Sequence, residues 1–204
     1  VPAAAAAVRT AVAVDRAALA GIVARHGIGA RPLLVVHPGS GSGRKNWPGF
    51  AAAIARWRHD AGRDWVVAEI RGPAEAELPP LPDTVPCEDL PLPLVAALLE
   101  RADLFLGNDS GIGHLAGILC RRGLVLFGPS DPAQWRPLGG RLEILHRPVA
   151  CPGCGDVLCL HRLCSDEVAA RLAVLSRAIA PTRPRDRAGT LAPAPARSNG
   201  RRGH

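Results

Sequence analysis

The chain has 204 residues, of which 48% are hydrophobic, and this is enough for one well-buried domain. No apolar stretch approaches the roughly 20 residues that cross a bilayer, and the alanine-rich segment 1–20 lacks the basic start and unbroken apolar core of a signal peptide. Five of the seven net positive charges lie in segment 181–204, which has six arginines and one aspartate, and aromatic residues make up only 3% of the chain. We therefore expect a cytoplasmic globular protein that does not bind nucleic acid.

Helical patterns alternate along the chain with short apolar segments that are typical of buried strands. The predicted strands are residues 33–36, 65–70, 85–89, 104–106, 124–127 and 142–145. The predicted helices are segment 1–20, residues 48–61, residues 92–101, the residues that follow Ser110, and residues 167–179. This alternation favours an α/β fold, a Rossmann-like doubly wound parallel sheet of about six strands. Segment 181–204 is rich in proline, alanine, glycine and arginine, and we expect it to be a disordered basic tail.

Two glycine-rich loops follow the first and fourth predicted strands. Loop 37–48 has three glycines and two serines and leads into a helix, whereas loop 107–114 begins a helix with Ser110 as its N-cap. If the strand order is 3-2-1-4-5-6, strands 1 and 4 are neighbours at the point where the winding reverses, and the two loops face each other across one crevice. Glycines allow close backbone approach, and cations and helix N-termini attract anions. The pair of loops therefore predicts a phosphate or diphosphate site.

Several side chains in these loops are candidates for ligand binding. Lys45 is the only lysine in a chain that has 24 arginines. This indicates a binding site that needs a compact point charge, and the alternative is a chance lysine on a solvated loop. Asp109 would orient Lys45 or accept a hydrogen bond from a sugar hydroxyl, or would simply cap the helix. His114 is either a packing histidine or a phosphate contact, with a catalytic base as the weaker alternative. Glu75 and Glu77 are candidates for ribose hydroxyls by analogy with dinucleotide-binding folds, with surface charge as the alternative.

Four segments together resemble glycosyltransferase family 9, the ADP-heptose:lipopolysaccharide heptosyltransferases. They are residues 40–48, 72–75, 107–116 and 126–132, and the similarity runs in order from about residue 31 to about residue 179. The resemblance implies the GT-B architecture of two Rossmann-like domains, of which this chain would be the C-terminal, donor-binding one. On this basis we divide the chain into an N-terminal helix and interdomain segment (1–30), a nucleotide-sugar-binding domain (31–180) and the tail (181–204).

The resemblance also implies a reaction and a set of binding residues. The reaction is inverting, metal-independent transfer from a nucleotide diphosphate sugar to a lipopolysaccharide-type lipid or oligosaccharide acceptor, with no cofactor required for catalysis. The residues assigned to the donor diphosphate are Ser40, Gly41, Ser42, Lys45, Ser110 and Gly111, and those assigned to the sugar and the orientation of the loop are Asp109 and His114. A lipid acceptor would bring the protein to the inner face of the cytoplasmic membrane as a peripheral protein.

In the family, an N-terminal domain binds the acceptor and supplies the catalytic aspartate. We therefore expect the catalytic base to lie outside this chain, which would bind donor with little or no turnover. One alternative is a non-catalytic sugar-nucleotide-binding module, or a subunit that needs a separate N-terminal domain. A more remote alternative is a zinc-stabilised interaction domain whose crevice takes no ligand.

Four cysteines close together follow the sixth predicted strand. Cys151, Cys154, Cys159 and Cys164 form the pattern C-x2-C-x4-C-x4-C, whose first half resembles a zinc knuckle and whose second half lacks the paired C-x2-C of a zinc ribbon. A structural zinc ion is one interpretation, and free thiols or disulfides are the others, although a reducing cytoplasm disfavours disulfides.

Overall fold

The computed structural model describes residues 2–147, residue 160 and residues 162–179. Within these residues a six-stranded, all-parallel sheet has the order β3-β2-β1-β4-β5-β6, which confirms the predicted fold and strand order. The strands are β1 (Leu33–His37), β2 (Val66–Arg71), β3 (Val85–Glu88), β4 (Leu104–Asn108), β5 (Gly123–Phe127) and β6 (Leu142–His146). The helices are α1 (Pro2–Ala11), α2 (Arg16–Arg25), α3 (Phe50–Asp60), α4 (Leu92–Arg101), α5 (Gly111–Leu119), α6 (Pro132–Trp135) and α7 (Ser165–Arg177).

Helices cover both faces of the sheet, as a parallel sheet of buried apolar strands requires. Successive side chains of a strand point to opposite faces, and β1 shows this directly. Leu33 and Val35 pack in one core with residues of α2, α4 and α5. Leu34 and Val36 pack in a second core with residues of α3 and α7. The helix after the first loop, α3, contributes its apolar face to this second core, where Phe50, Ile54 and Trp57 are buried.

The described elements differ from the predicted ones mainly in three places, and the bounds of several others differ by one or two residues. The segment that was predicted as one helix over residues 1–20 forms two helices, because Asp15 caps α2 by accepting a hydrogen bond from the Ala18 backbone N–H at 2.9 Å. The fourth strand continues to Asn108, two residues beyond the predicted end. Helix α6 was not predicted. None of the helices among the described residues has the length and apolar content that a bilayer crossing requires.

Helix α5, which begins at the second glycine-rich loop, lies close to the segment that follows α6. A Cβ atom on Gly117 would lie 2.6 Å from the carbonyl oxygen of Leu138 and 2.6 Å from Cβ of Pro137. Gly139, which has a φ of +96°, packs against the same turn of the helix. The absence of a side chain at Gly117 therefore sets how closely α5 approaches its neighbour.

We predict that Gly117→Ala lowers the free energy of unfolding by about 1–3 kcal/mol, because the added methyl group must displace backbone. The matched control is Gly21→Ala in α2, where an added Cβ meets nothing within 4 Å and alanine should stabilise the helix by about 0.5–1 kcal/mol. Urea unfolding monitored by circular dichroism measures both. Stabilisation of similar size in the two variants would contradict the close approach of α5.

Candidate functional site

The two glycine-rich loops lie side by side at the carboxyl ends of neighbouring strands. Strand β1 pairs with β4 in parallel, with His37 opposite Gly107, so the loop that follows each strand leaves from the same edge of the sheet. This is the point where the strand order reverses, at which ligands of doubly wound folds bind. An added Cβ on Gly41, Gly43 or Gly111 would meet nothing within 4 Å, so there is open space beside both loops.

The side chain of Asn108 joins the two loops. Asn108 is fully buried at the end of β4, and its Nδ2 donates a hydrogen bond to the Pro38 carbonyl at 2.7 Å. Its Oδ1 accepts a hydrogen bond from the Trp47 backbone N–H at 3.2 Å. Trp47 is itself held by a hydrogen bond from its Nε1 to the Leu163 carbonyl and by an edge contact with Phe50. Both ends of the first loop are thus hydrogen-bonded to β4, and Trp47 also packs against α3.

Lys45 and Asp109 meet across the crevice, one from each loop. Lys45 lies in a 3₁₀ turn, and its Nζ is 2.8 Å from Oδ2 of Asp109. The Asp109 side chain is only 6% exposed, whereas that of Lys45 is 34% exposed, so the ammonium group remains accessible from the crevice. The contact matches the predicted arrangement in which Asp109 orients Lys45. Asp109 does not cap the helix, since Ser110 occupies the N-cap position.

The serines of the two loops have different environments. Ser110 caps α5 as predicted, and its Oγ accepts a hydrogen bond from the Gly113 N–H at 3.1 Å. Ser40 is buried, and its hydroxyl lies 2.6 Å from the Ser42 carbonyl oxygen and 2.8 Å from Oδ1 of Asn46, so it shapes the loop from inside. Ser42 is half-buried. The contacts of Ser40, Ser42, Gly41, Gly111 and Ser110 with a diphosphate stay predictions, as does the role of the half-buried His114.

Glu75 lies beneath the crevice and makes contacts that the sequence did not reveal. Glu75 is 4% exposed and His37 is 5% exposed, and Oε1 of Glu75 is 3.5 Å from Nε2 of His37. The other carboxylate oxygen accepts a hydrogen bond from the Gly72 N–H at 2.9 Å. A Cβ atom at position 39 would overlap the Glu75 carboxylate, so the carboxylate can occupy this position only because residue 39 is glycine. Both oxygens of Glu75 therefore have protein partners, and a ribose contact stays a prediction. Glu77 is exposed.

The surroundings of Glu75 favour its ionised form. The hydrogen bond with His37 lowers the pKa of the Glu75 carboxyl most strongly, burial opposes this in part, and the Gly72 N–H and the charges of His37 and Arg71 lower it further. Arg71 also fixes the chain around Glu75, because its guanidinium donates to the carbonyls of Glu75 and Leu78 while it pairs with buried Glu69 at 2.9 Å.

The cysteine cluster lies almost entirely outside the described residues. Cys151, Cys154 and Cys159 are not among them, and Cys164 is an exposed free cysteine at the start of α7. In the described part of the chain no group of three or more histidine, cysteine or acidic side chains is arranged to hold a metal ion. The zinc interpretation therefore stays a prediction. Burial raises the pKa of the Cys87 thiol to about 11, which is consistent with a core role for this residue.

A parallel sheet of this order, with two glycine-rich loops at its switch point, defines a Rossmann-like α/β domain. The family model of glycosyltransferase family 9 (heptosyltransferase) matches residues 6–162, and the chain belongs to this family. No curated protein matches the sequence as a relative.

Solved structures of the same family share the fold at low sequence identity. The family 9 glycosyl transferase of Veillonella parvula DSM 2008 is 18% identical with a TM-score of 0.67, over 80% of this chain and 51% of the other. The E. coli ADP-heptose lps heptosyltransferase II is 19% identical with a TM-score of 0.65, over 81% of this chain and 53% of the other. E. coli heptosyltransferase WaaC with ADP is 19% identical with a TM-score of 0.58, over 72% and 45%. The chain thus spans about half the length of these structures.

We predict that Glu75→Gln lowers the free energy of unfolding by about 1–3 kcal/mol at pH 7, because the buried partners of a carboxylate lose a charge-assisted hydrogen bond. The folded-state pKa of Glu75 is lowered, so its ionised form stabilises the fold above the unfolded pKa of about 4.3. The difference between wild type and variant should shrink as the pH falls from there through the folded-state pKa.

Urea unfolding between pH 7 and acid measures this difference. Exposed Glu77 offers the matched control, since Glu77→Gln should change stability by no more than about 0.5 kcal/mol. A Glu75→Gln effect that is equally small, or that persists unchanged in acid, would show that Glu75 has no stabilising charge.

Proposed function

We propose that this chain binds the nucleotide diphosphate sugar donor of a family 9 glycosyltransferase, with the diphosphate held between its two glycine-rich loops. The observation that carries the proposal is the pair of Lys45 and Asp109, which meets across an open crevice at the N-terminus of α5. The reaction served would be inverting, metal-independent sugar transfer to a lipopolysaccharide-type acceptor. We propose a cytoplasmic location, at the inner face of the cytoplasmic membrane, because the acceptor is lipid-linked.

The electrostatics of the crevice suit a diphosphate. The first turn of α5 directs backbone N–H groups and the positive end of the helix dipole to its N-terminus, where Gly111 is exposed. Lys45 adds a compact cation that can contact oxygens of either phosphate while Asp109 keeps it at the mouth of the crevice. Asp109 would then also be placed to accept a hydrogen bond from a sugar hydroxyl. The ammonium group of Lys45, the carboxylate of Asp109 and the backbone donors of the two loops together suit a diphosphate joined to a sugar.

We propose that the donor is an adenine nucleotide linked to a heptose, and the names of two structural relatives support this choice. One structural relative is described as an ADP-heptose lps heptosyltransferase, and another is described with ADP. Because the chain spans about half the length of these relatives, nucleotide binding tests the proposal more directly than turnover does. Binding without transfer to any acceptor is consistent both with the proposal and with the alternative of a sugar-nucleotide-binding module that works with a separate acceptor domain.

We predict that the chain binds ADP-heptose, and that Lys45→Ala weakens this binding about 10- to 100-fold. Loss of a charge-assisted hydrogen bond costs about 1.5–3 kcal/mol, and each 1.4 kcal/mol is about tenfold in affinity. Isothermal titration calorimetry with ADP-heptose, ADP-glucose and UDP-glucose gives the affinities.

Arg63→Ala is the matched control for the loss of one positive charge. Arg63 is exposed and lies three residues before β2, so it is at the amino-terminal ends of the strands whereas the crevice is at their carboxyl ends. Its removal should leave the affinity unchanged within about twofold. Equal effects of the two substitutions would mean that Lys45 acts only through net charge. Failure of all three nucleotide sugars to bind the wild-type chain would overturn the proposed function.

We propose that the cysteine cluster binds one structural zinc ion. Elemental analysis of protein purified under reducing conditions should then give about one zinc per chain, and Cys151→Ser with Cys154→Ser should remove it, because a tetrahedral site needs its thiolate ligands. Cys87→Ser, in the core, is the control that should leave the zinc content unchanged. Metal-free wild-type protein would assign the four thiols to the free or disulfide-bonded state.

A further inference from the structure

A buried series of side chains links the end of β2 to the N-terminus of α5. The His37 ring lies between Glu75, whose Oε1 is 3.5 Å from Nε2, and Ser110, whose Oγ is 3.3 Å from Nδ1. All three residues are less than 8% exposed. Ser110 is also the residue that caps the helix at the proposed diphosphate site. The protonation state of His37 is therefore connected to the hydroxyl that caps α5.

The hydrogen bond between Ser110 and His37 can be formed in two ways, which differ in whether the hydroxyl or the ring supplies the hydrogen. A serine hydroxyl has one hydrogen to donate and two lone pairs that accept. One lone pair accepts the Gly113 N–H at 3.1 Å. If the hydroxyl donates to Nδ1 of His37, the ring is neutral and carries its hydrogen on Nε2, facing the Glu75 carboxylate. If Nδ1 carries a hydrogen and donates to the second lone pair, the ring is an imidazolium and the hydroxyl hydrogen is free for another acceptor.

A bound phosphate favours the second arrangement. An anionic oxygen above the N-terminus of α5 accepts hydrogen bonds strongly, and the Ser110 hydroxyl is a donor at that position. Once its hydrogen turns to the phosphate, Nδ1 of a neutral His37 would be left without a donor in a buried place, which is costly. Taking one proton from solvent onto Nδ1 removes this cost, and the resulting imidazolium lies between a hydroxyl oxygen and a carboxylate.

We propose that His37 couples binding of the donor diphosphate to the uptake of one proton by the protein. This inference rests on the proposed function, because it requires the diphosphate to lie at Ser110. His37 is a positioning residue in this scheme: it contacts Ser110 and Glu75, and it acts on the ligand through the Ser110 hydroxyl. Tighter binding at lower pH follows from it.

The charged groups around His37 are consistent with an imidazolium. Glu75 contacts its Nε2 directly, and Asp109 precedes Ser110, which contacts Nδ1, in the chain. The nearby cations already have carboxylate partners, since Arg71 pairs with Glu69 at 2.9 Å and Lys45 with Asp109 at 2.8 Å. A positive charge on His37 thus faces a carboxylate, and the closest cations are partly neutralised by their own partners.

The test counts protons by calorimetry. Titrations with ADP-heptose, ADP-glucose and UDP-glucose are repeated in buffers with different ionisation enthalpies, and the slope of the observed enthalpy gives the protons taken up. Nucleotide sugars are the right probes because neither of their phosphates is terminal, so neither gains or loses a proton near neutral pH. The terminal phosphate of free ADP ionises at about pH 6, and its protons would add to those counted for the protein. Histidine changes charge between about pH 5 and 8, so the titrations span about pH 6 to 8.5.

For the wild-type chain we expect proton uptake to approach one proton per bound ligand at the alkaline end of this pH range. The affinity should fall there by up to about tenfold per pH unit, because this is the slope that uptake of one proton gives. His37→Gln should abolish the uptake and flatten the pH dependence. Glu75→Gln, which leaves the ring in place but removes its carboxylate, is the second variant and should reduce the uptake. Arg63→Ala should keep the full uptake.

The outcomes separate this inference from the proposed function. Binding by the wild-type chain without proton uptake overturns the coupling and leaves donor binding intact. Uptake that persists in His37→Gln assigns the proton to another group and also overturns the coupling. If none of the three nucleotide sugars binds, the proposed function falls and the coupling falls with it.

Discussion

The geometry of the crevice depends on one buried carboxamide. Asn108 ends β4 and hydrogen-bonds the backbone at both ends of the loop that follows β1. A buried amide that loses a partner costs about 1–3 kcal/mol, so the loop cannot swing away from β4 without leaving polar groups unpaired. Lys45 lies two residues before Trp47, whose backbone N–H Asn108 accepts, and Asp109 directly follows Asn108. The same side chain therefore sets the distance between the two charged groups that meet across the crevice.

Three side-chain pairs around the crevice are formed before any ligand arrives. Lys45 and Asp109 form one ion pair, Arg71 and Glu69 form another, and the His37 ring contacts Glu75; in each pair the carboxylate is buried. Buried charges are tolerated only when they are paired and hydrogen-bonded, and here the pairs also fix the loops that carry them. A ligand that binds such a site loses less free energy to the ordering of side chains, because most of that ordering has occurred on folding.

The fold could be predicted from the sequence because its strands are short, apolar and regularly separated by helices. The strand order was assumed as the common order of doubly wound sheets, and the Ser110 cap followed from its place between an apolar strand and a helical pattern. The contact of Lys45 with Asp109 could be anticipated because lysine is rare in this chain and both residues lie in loops that the topology brings together.

Other features could not be anticipated, for physical reasons that differ from one residue to the next. His37 ends an apolar strand, and nothing in the local pattern indicates that Glu75, in a turn far along the chain, is its partner. The signal that was available is glycine at position 39, where any side chain would overlap Glu75. The contacts of Ser40 with the Ser42 carbonyl and with Asn46 depend on how the loop folds back on itself, which its sequence does not indicate. The break before α2 was hidden by uniformly high alanine content, which favours helix on both sides of Asp15.

The edge strand β3 has a consequence for how the protein behaves in concentrated solution. Asp89 donates its backbone N–H to Arg71 of β2, and alternate residues of a strand face the same neighbour, so the backbone nitrogen of Pro86 faces away from the sheet. Proline has no N–H to offer a further strand, and exposed Glu88 adds a charge to the same edge. Copies of the chain that meet at this edge lack one of the backbone donors that would extend the sheet, which disfavours aggregation by strand addition at β3.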